Sequence, residues 1–265
     1  IKIREPDGAR DWTFVNNKSG DRGGVIQFYQ AETGANLGQV RRDLRPLIGR
    51  EPSLETAQYD KTPKPSAGPT DHTAVRQQWE RSRILGSSSP AYAQERGISM
   101  ETLARFSEEI KVSERGAILF AHRDANRNIK GFEVKGPGWT GFAKGGHKEA
   151  CILGDPTQAT RVVVTESAID SLSKAQIEDG RYDTVYISTG GGMSQSTVDR
   201  ICDLASGRDV DLAFDADEGG EQLAQRLHTA LESANTASVS RVVPSHGKDW
   251  NEELQHLLKA EQQQR

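Results

Sequence analysis

The chain contains very little cysteine and has no long apolar stretch. Only Cys151 and Cys202 occur among its 265 residues, which excludes a disulfide framework and a cysteine-rich zinc site. No segment approaches the roughly 20 apolar residues of a membrane-spanning helix, which excludes an integral membrane protein. We therefore expect a cytoplasmic protein. Because the chain begins at Ile1 without a methionine or a signal peptide, we also expect a fragment or a processed product.

Residues 1–50 lack both cysteine and histidine. Structural zinc takes four ligands of these two types, so no zinc is expected in this part of the chain. A strand pattern at 11–15 and helical spacing between Leu37 and Leu44 predict a small module held together by apolar packing. Residues 51–71 contain four prolines and no apolar periodicity, which predicts a linker.

Charge is distributed unevenly along the chain. The formal net charge is −4, but residues 161–265 hold 10 basic and 18 acidic residues. Residues 111–148 hold 8 basic and 3 acidic residues, with Phe132, Trp139 and Phe142 between them. A basic segment with aromatic residues beside an acidic domain indicates a nucleic-acid path that leads to a metal site. Ordinary variation in charge is the alternative interpretation.

Strands and helices alternate through the last part of the chain. Apolar strand patterns occur at 161–165, 184–188, 210–214 and 238–243, and a helical pattern follows each of them. This alternation predicts a parallel sheet. The preceding region, 72–158, combines helical patterns with a hairpin whose turn lies at 124–128. We predict an α/β protein, with an α+β subdomain at 72–158 followed by a domain at 159–265 that has a mainly parallel four-stranded sheet flanked by helices.

Each predicted strand is followed, within a few residues, by a motif that contains acidic residues or glycines. These motifs are Glu166, then Gly190-Gly191-Gly192, then Asp215-Ala216-Asp217, and finally Gly247-Lys248-Asp249. Ligands of open parallel sheets collect at these carboxyl ends. Clustered carboxylates repel one another unless a cation neutralises them, and hard oxygen ligands favour Mg²⁺ or Mn²⁺. In an extended chain Asp215 and Asp217 point the same way, so both can reach one ion.

Each of these features also has a purely structural interpretation. Asp215 and Asp217 can close a strand and cap the next helix. Glu166 can be an acidic residue that favours the dipole of its helix. Residues 190–192 can be a tight turn rather than a phosphate-binding loop. The combination at equivalent strand ends favours the metal site.

The motifs after residue 160 resemble the TOPRIM domain shared by bacterial-type primases, topoisomerases and some nucleases. The resemblance covers about 161–260 and rests on Val163-Val164-Thr165-Glu166-Ser167-Ala168-Ile169-Asp170, Asp215-Ala216-Asp217-Glu218-Gly219 and Gly247-Lys248-Asp249. It implies that Glu166 is the acid/base or metal-supporting glutamate and that Asp215 and Asp217 are the principal Mg²⁺ ligands. By the same resemblance, Asp170 and Asp249 support the metal cluster.

The upstream motifs are similar to the amino-terminal half of a DnaG-type primase core. They include Tyr92-Ala93-Gln94-Glu95-Arg96-Gly97, Ile118-Leu119-Phe120-Ala121-His122-Arg123-Asp124, Gly131-Phe132-Glu133 and Gly141-Phe142-Ala143-Lys144. The resemblance implies that basic residues line a template and nucleotide groove. Arg123 and Lys144 match that pattern best, although both can also be ordinary surface cations. Lys135, Lys148 and Lys248 are further candidates for binding nucleic acid or nucleotide.

For other residues in and next to the basic segment we expect structural roles. Trp139 and Phe142 are expected to pack in the core or at its rim rather than stack on bases. We expect His122 and His147 to be structural or surface residues, because neither has the spacing of a metal ligand. Cys151 is expected to be buried and inert.

Residues 11–48 resemble the zinc-binding module of primases in their Gly-Gly-Val-Ile-Gln-Phe stretch and the helix pattern after it. The metal ligands of that module are missing, so this part of the chain is interpreted as degenerate. Arg41, Arg42 and Arg45 either grip template DNA or form a solvated basic helix face. The arrangement as a whole is most similar to TOPRIM proteins of plasmids and other mobile elements.

The resemblance implies an RNA primase that joins ribonucleoside triphosphates on a single-stranded DNA template with Mg²⁺ or Mn²⁺. A helicase or a relaxase is an expected partner. A TOPRIM nuclease uses the same carboxylates and remains an alternative, as does a non-catalytic accessory that binds single-stranded DNA. A topoisomerase is disfavoured because the chain has no room for a strand-passage domain.

Overall fold

The computed structural model describes residues 2–4, 13–15, 22–33, 40, 43–44 and 72–263. The chain divides into two compact units, Ile1–Lys64 and Pro65–Arg265. The predicted linker at 51–71 and the three arginines Arg41, Arg42 and Arg45 lie outside the described residues. Within those residues, no helix combines the length and the apolarity needed to cross a bilayer. The division into regions 1–50, 51–71, 72–158 and 159–265 stays a prediction.

The first unit contains a small antiparallel sheet and a helix. Its strands are β1 (Lys2–Arg4), β2 (Thr13–Val15) and β3 (Arg22–Gly23), in the order β1-β2-β3. Helix α1 (Val25–Thr33) starts directly after β3, and its first turn is closed by a hydrogen bond from the Phe28 amide to the Gly24 carbonyl.

The first half of the second unit is an antiparallel sheet with helices. The helices are α2 (His72–Arg81), α3 (Ala91–Glu95) and α4 (Met100–Arg105). The strands are β4 (Ile110–Val112), β5 (Ile118–Arg123), β6 (Ile129–Gly136) and β7 (Trp139–Phe142), paired in that order. The predicted hairpin is β5–β6, and the Asp124 carboxylate closes its turn by accepting from the amides of Asn126 and Asn128.

The second half contains a five-stranded mixed sheet. Its strands are β8 (Cys151–Leu153), β9 (Arg161–Thr165), β10 (Thr184–Ser188), β11 (Asp209–Leu212) and β12 (Ser238–Arg241), in the order β12-β11-β9-β10-β8. The prediction of four strands was wrong. Strand β8 is the fifth, and it pairs antiparallel with β10, whereas the other pairs are parallel. With three residues, β8 is too short to show a strand period in the sequence.

Four helices alternate with these strands. They are α5 (Ala168–Ile177), α6 (Gln195–Ala205), α7 (Glu218–Leu231) and α8 (Trp250–Gln263). The alternation of side chains along β9 builds a separate core on each face. Val163 packs with residues of α5 and α8, whereas Val162 and Val164 pack with residues of α6 and α7. The polar strand ends are thereby left at the edges of the sheet.

A buried network of charges ties the amino-terminal edge of this sheet together. Glu178 binds both terminal nitrogens of Arg161 at 2.9 Å, and Asp211 accepts from the same guanidinium. The Lys174 ammonium and the Tyr186 hydroxyl also donate to Glu178, at 3.0 and 2.9 Å. Burial raises the pKa of Glu178, but the hydrogen bonds from Arg161 and the charge of Lys174 outweigh burial and lower it to about 2.

Replacement of Glu178 tests this network. Glu178→Gln is expected to lower the free energy of unfolding at pH 7 by about 2–3 kcal/mol, because buried Arg161 loses a charged partner. The lowered pKa makes the contribution of Glu178 complete above its ordinary value of 4.5 and removes it as the pH falls to about 2. In urea unfolding, the difference in the free energy of unfolding between parent and variant should therefore decrease to zero as the pH falls through this range. A difference in the free energy of unfolding that is independent of pH would contradict the prediction.

Candidate metal centre

Five carboxylates lie at the carboxyl edge of the five-stranded sheet. We call Glu166, Asp170, Asp215, Asp217 and Asp249 the acidic group. Glu166 follows β9 directly, Asp215 and Asp217 lie between β11 and α7, and Asp249 directly precedes α8. Asp170 lies in the first turn of α5. Because β9 and β11 are parallel, their ends bring these side chains to the same edge.

Backbone contacts fix the turn that carries Asp215 and Asp217. The Ala216 amide donates to the Lys248 carbonyl at 2.7 Å, which joins this turn to the loop before α8. Gly220 allows α7 to begin close to the turn, since a Cβ at this position would lie 2.0 Å from the Asp215 carbonyl oxygen. The Arg241 guanidinium donates to the carbonyl of Asp215 at 2.8 Å.

The carboxylates of the acidic group repel one another. Burial raises the pKa of Asp215 to about 6, with further increases from Glu166 and Asp249. Burial also raises the pKa of Asp170 to about 7, helped by the charges of Asp249 and Asp215. The pKa of Glu166 is raised by burial and then by Asp217. Such coupling shows that these carboxylates repel one another within one site. A bound cation would relieve this repulsion.

The donor set fits a hard divalent cation. The Asp215 Oδ1 atom is buried and has no hydrogen-bond partner, so it has the free lone pairs of a metal ligand. All members of the acidic group offer carboxylate oxygens, which suit Mg²⁺ or Mn²⁺. Among the described residues, however, no three Asp, Glu, His or Cys side chains converge closely enough to hold an ion as they stand. Joint ligation therefore requires side-chain rotation.

Two of the carboxylates also cap helices. Asp217 is the N-cap of α7, and its Oδ1 atom accepts from the Gly220 amide at 2.9 Å. The Asp249 Oδ1 atom accepts from the Glu252 amide at 2.8 Å, at the start of α8. The capping interpretation is therefore correct for Asp217, whose second oxygen still remains for a ligand. In contrast, α5 is capped by Ser167 rather than by Glu166.

Residues 190–192, the glycine loop, form a tight turn at the same edge. Gly190 and Gly191 have φ angles of +66° and +78°, a region that favours glycine. The Gly190 amide donates to the Ser188 hydroxyl, and the Gly191 amide donates to the Glu166 carbonyl at 3.0 Å. Both amides are used within the protein, so this turn fixes the backbone of Glu166 rather than presenting these two donors to a phosphate.

Two of the candidate lysines contact this edge, and a third pairs with Glu133, which lies beside Gly190. Lys248 lies 4.0 Å from the Asp215 carboxylate. Lys148 donates to the Gly190 carbonyl at 2.8 Å. Lys135 pairs with Glu133 at 3.1 Å, and a Cβ added to Gly190 would lie 3.1 Å from the other Glu133 oxygen. Positive charge is thereby brought to the border of the acidic group.

Arg123 and Lys144 behave differently from the other candidates. The Arg123 Nε atom pairs with buried Glu109 at 2.6 Å, and its terminal nitrogens donate to the Glu108 and Arg127 carbonyls. None of these partners belongs to the acidic group, so Arg123 is held by structural contacts. Lys144 is exposed, and among the described residues it has no ion-pair partner within 4.0 Å.

The aromatic residues of the basic segment divide between core and surface. Phe142 is half-buried and contacts the buried His122 ring edge-on at 5.0 Å, as expected for rim packing. Trp139 is 59% exposed, so the expectation that it packs in the core or its rim was wrong. It begins β7, which is an edge strand of this sheet among the described residues. Cys151 is fully buried, which confirms the burial expected for it.

Sequence reasoning missed the residues that position the site. Arg241 has no acidic or glycine-rich motif around it, so nothing in the sequence points to its contacts with the Asp215 turn. From the sequence, Glu133 stands out only as part of a motif, and His122 is expected only to be a structural or surface residue. Both faces of β5 are buried, and the pairing of Phe120 with Glu133 together with the period of two places His122 and Glu133 on the same face of this sheet as Phe120.

Two family models match parts of the chain. Residues 163–254, which contain the whole acidic group, match a model described as Toprim-like. Residues 92–159, which contain Lys135, Lys144 and Lys148, match a model described as a protein of unknown function (DUF3991). The chain therefore carries a Toprim-like domain. None of the curated proteins compared matches the chain.

The chain also resembles solved primase structures. The Aquifex aeolicus primase, with its zinc-binding and RNA polymerase domains, has a TM-score of 0.50 at 13% identity over 100% of this chain and 79% of its own. The primase fragment of the bacteriophage T7 primase-helicase protein has a TM-score of 0.45 at 23% identity over 75% and 79%. A Pseudomonas aeruginosa primase domain has a TM-score of 0.47 at 16% identity over 72% and 74%. The Aquifex likeness shows the fold alone.

Neutralising one carboxylate tests the metal site. Asp215→Asn or Asp217→Asn is expected to weaken Mn²⁺ binding about tenfold or more, measured by electron paramagnetic resonance of free Mn²⁺. Asn caps a helix as well as Asp does, so Asp217→Asn keeps α7. Because the raised pKa of Asp215 makes its ionisation unfavourable above about pH 6, metal-free Asp215→Asn should melt no lower than the parent at pH 8.

Asp203→Asn is the control for this measurement. Asp203 is exposed on α6, and its replacement removes the same charge away from the acidic group. It should leave Mn²⁺ affinity unchanged. Parent-like Mn²⁺ affinity in both Asp215→Asn and Asp217→Asn would rule out the proposed ligands.

Proposed function

We propose that this protein is a DNA primase-like nucleotidyltransferase that synthesises short RNA primers on single-stranded DNA. The observation that carries the proposal is the acidic group at one sheet edge, where the buried Asp215 Oδ1 atom has no partner. The Toprim-like match over this edge and the primase-like fold of the chain support it. The Mg²⁺ requirement and a role in replication or transfer of plasmids or mobile elements belong to the same proposal, as does a helicase or relaxase partner.

Each residue type has a proposed role in this reaction. Glu166, Asp215 and Asp217 are the catalytic and metal-holding residues, and Asp170 and Asp249 support them. When bound, Mg²⁺ or Mn²⁺ supplies Lewis-acid stabilisation for the attacking 3′-oxygen and the leaving pyrophosphate.

The basic side chains hold the substrates. Lys248 and Lys148 lie beside Asp215 and Gly190, where they can attract a triphosphate to the sheet edge. Lys135 has the same role from the neighbouring sheet. Exposed Lys144 is proposed to bind the template backbone, and Lys148, which is also exposed, to contact the template as well as the triphosphate. Arg123 keeps only an indirect role, because Glu109 already occupies its guanidinium.

A product assay separates primase from its alternatives. The full chain is incubated with single-stranded DNA, labelled ribonucleoside triphosphates and either Mg²⁺ or Mn²⁺. A primase yields labelled oligoribonucleotides, whereas a nuclease shortens the DNA. Binding of the DNA with neither product would indicate the accessory role, and the primase proposal would then be wrong.

Glu166 gives a direct test of the catalytic assignment. Glu166→Gln keeps the size of the side chain and removes its charge, and we expect primer synthesis to fall about a hundredfold or more. The fold should survive, because among the described residues no hydrogen bond to the Glu166 carboxylate is present and its fixed contacts come from its carbonyl. Circular dichroism checks the fold, and Asp203→Asn should retain full synthesis. Undiminished synthesis by Glu166→Gln would remove Glu166 from the mechanism.

The salt dependence of DNA binding tests the basic segment. Each phosphate contact to a single strand contributes about 0.7 to the slope of log affinity against log salt. The double variant Lys144→Ala/Lys148→Ala is therefore expected to reduce this slope by about 1.4. The control Arg76→Ala/Arg81→Ala removes two exposed charges from α2, outside residues 111–148, and should leave the slope unchanged. Equal losses in both double variants would contradict a specific path.

A further inference from the structure

We propose that Glu133 and His122 are positioning residues that hold Lys135 and the glycine loop against the acidic group, so that a nucleoside triphosphate meets a preformed site. This inference rests on the proposed function, since the triphosphate is its expected ligand. Among the described residues, neither side chain makes a hydrogen bond or an ion pair with the carboxylates of the acidic group. Their effect is therefore exerted through Lys135 and the glycine loop.

Glu133 and His122 form a buried polar pair on adjacent strands. His122 is fully buried, and the Glu133 side chain is 5% exposed. The Nε2 atom of His122 lies 3.1 Å from Glu133 Oε1, and the Lys135 ammonium lies 3.1 Å from Glu133 Oε2. Burial raises the pKa of Glu133, but His122 and Lys135 outweigh it and lower the pKa to about 2. Glu133 is thus a fixed negative charge between two partners.

The His122 ring is itself held on two sides. Its Nδ1 atom contacts the backbone of Glu149, whose amide lies 3.2 Å away. The Phe142 ring packs edge-on against it with centroids 5.0 Å apart. With both ring nitrogens engaged, His122 cannot turn without breaking buried hydrogen bonds. Glu133 therefore has one defined position.

The glycine loop packs directly on this pair. A Cβ at Gly190 would lie 3.1 Å from Glu133 Oε1 and 3.4 Å from His122 Cε1. Lys148 clamps the other side of the loop by donating to the Gly190 carbonyl. The next amide, that of Gly191, donates to the Glu166 carbonyl at 3.0 Å. A continuous set of contacts thus runs from Glu133 through the loop to the backbone of Glu166.

Glu133 also restricts Lys135. An unrestrained lysine side chain samples many rotamers, and it loses this conformational entropy when its ammonium binds a phosphate. The ion pair with Glu133 holds one donor of the ammonium, and the Lys135 side chain is still 19% exposed. Two N–H donors of the ammonium therefore remain for phosphate oxygens. Because the side chain is already partly ordered before the ligand binds, binding costs less conformational entropy.

The test compares two ion-paired glutamates that differ in location. Glu133→Gln removes the charge at the proposed positioning pair, where the side chain is 5% exposed, and Glu178→Gln removes a charge whose side chain is 15% exposed, at the opposite edge of the five-stranded sheet. Glu178 has a pKa lowered to about 2, as Glu133 has, so the two variants carry matched perturbations. Lys135→Met and the double variant Glu133→Gln/Lys135→Met complete a double-mutant cycle.

Two measurements are made on the full chain. The first is the affinity for ATP in the presence of Mn²⁺, by equilibrium titration. Lys135→Met should weaken it about tenfold and Glu133→Gln at least as much, and the double variant should be no weaker than Glu133→Gln alone, because Lys135 acts only when Glu133 positions it. The second is amide hydrogen exchange at residues 190–192, which should accelerate in Glu133→Gln and stay parent-like in Lys135→Met.

Glu178→Gln should lower thermal stability and leave both ATP affinity and the exchange of residues 190–192 as in the parent. Parent-like ATP affinity and exchange in Glu133→Gln would overturn the proposal, and so would an equal loss in Glu178→Gln or additive effects in the double variant. If the parent itself does not bind ATP, the proposed function fails, and exchange at residues 190–192 still decides whether Glu133 positions the loop.

Discussion

The parallel pairing of β9 between β10 and β11 is the constraint on which the site depends. In this register Thr165 lies opposite Ser188, and Val164 lies opposite both Ile187 and Leu212. Three chain segments therefore leave the buried sheet at the same level. A slip by one residue would reverse the faces of each strand, because side chains alternate with a period of two. The two apolar cores oppose such a slip, so they fix the site as well as the fold.

Gathering carboxylates at one edge opposes folding, and the rest of the domain supplies the compensation. Raised pKa values at Asp170 and Asp215 report unfavourable ionisation. At the amino-terminal edge, Arg161 and Glu178 form a fully paired network in which ionisation is favourable instead. The two edges of one sheet thus have opposite electrostatic character. A strained edge on a stable sheet is the usual arrangement of a functional site.

Sequence reasoning predicted the features that depend on local pattern. The strand–helix repeat gave β9 and β10 at their observed bounds, and it placed the acidic motifs after strand ends. It did not give β8, because a three-residue strand has no readable period. It also did not give Arg241, whose role comes from contacts with the carbonyls of Phe214 and Asp215, far away in the chain. Local signals predict where a site lies, whereas long-range contacts that hold it need the folded chain.

The border between the two sheets brings lysines to the acidic edge, as the proposed binding of a nucleotide would require. Excess negative charge repels nucleotides and nucleic acids unless cations neutralise it. Lys248 comes from the acidic domain itself, whereas Lys135 and Lys148 come from the neighbouring region and reach the same edge through Glu133 and Gly190. These lysines offset only part of the charge of five carboxylates. The remainder would favour the proposed divalent cation, so under the proposed function metal and triphosphate bind together rather than separately.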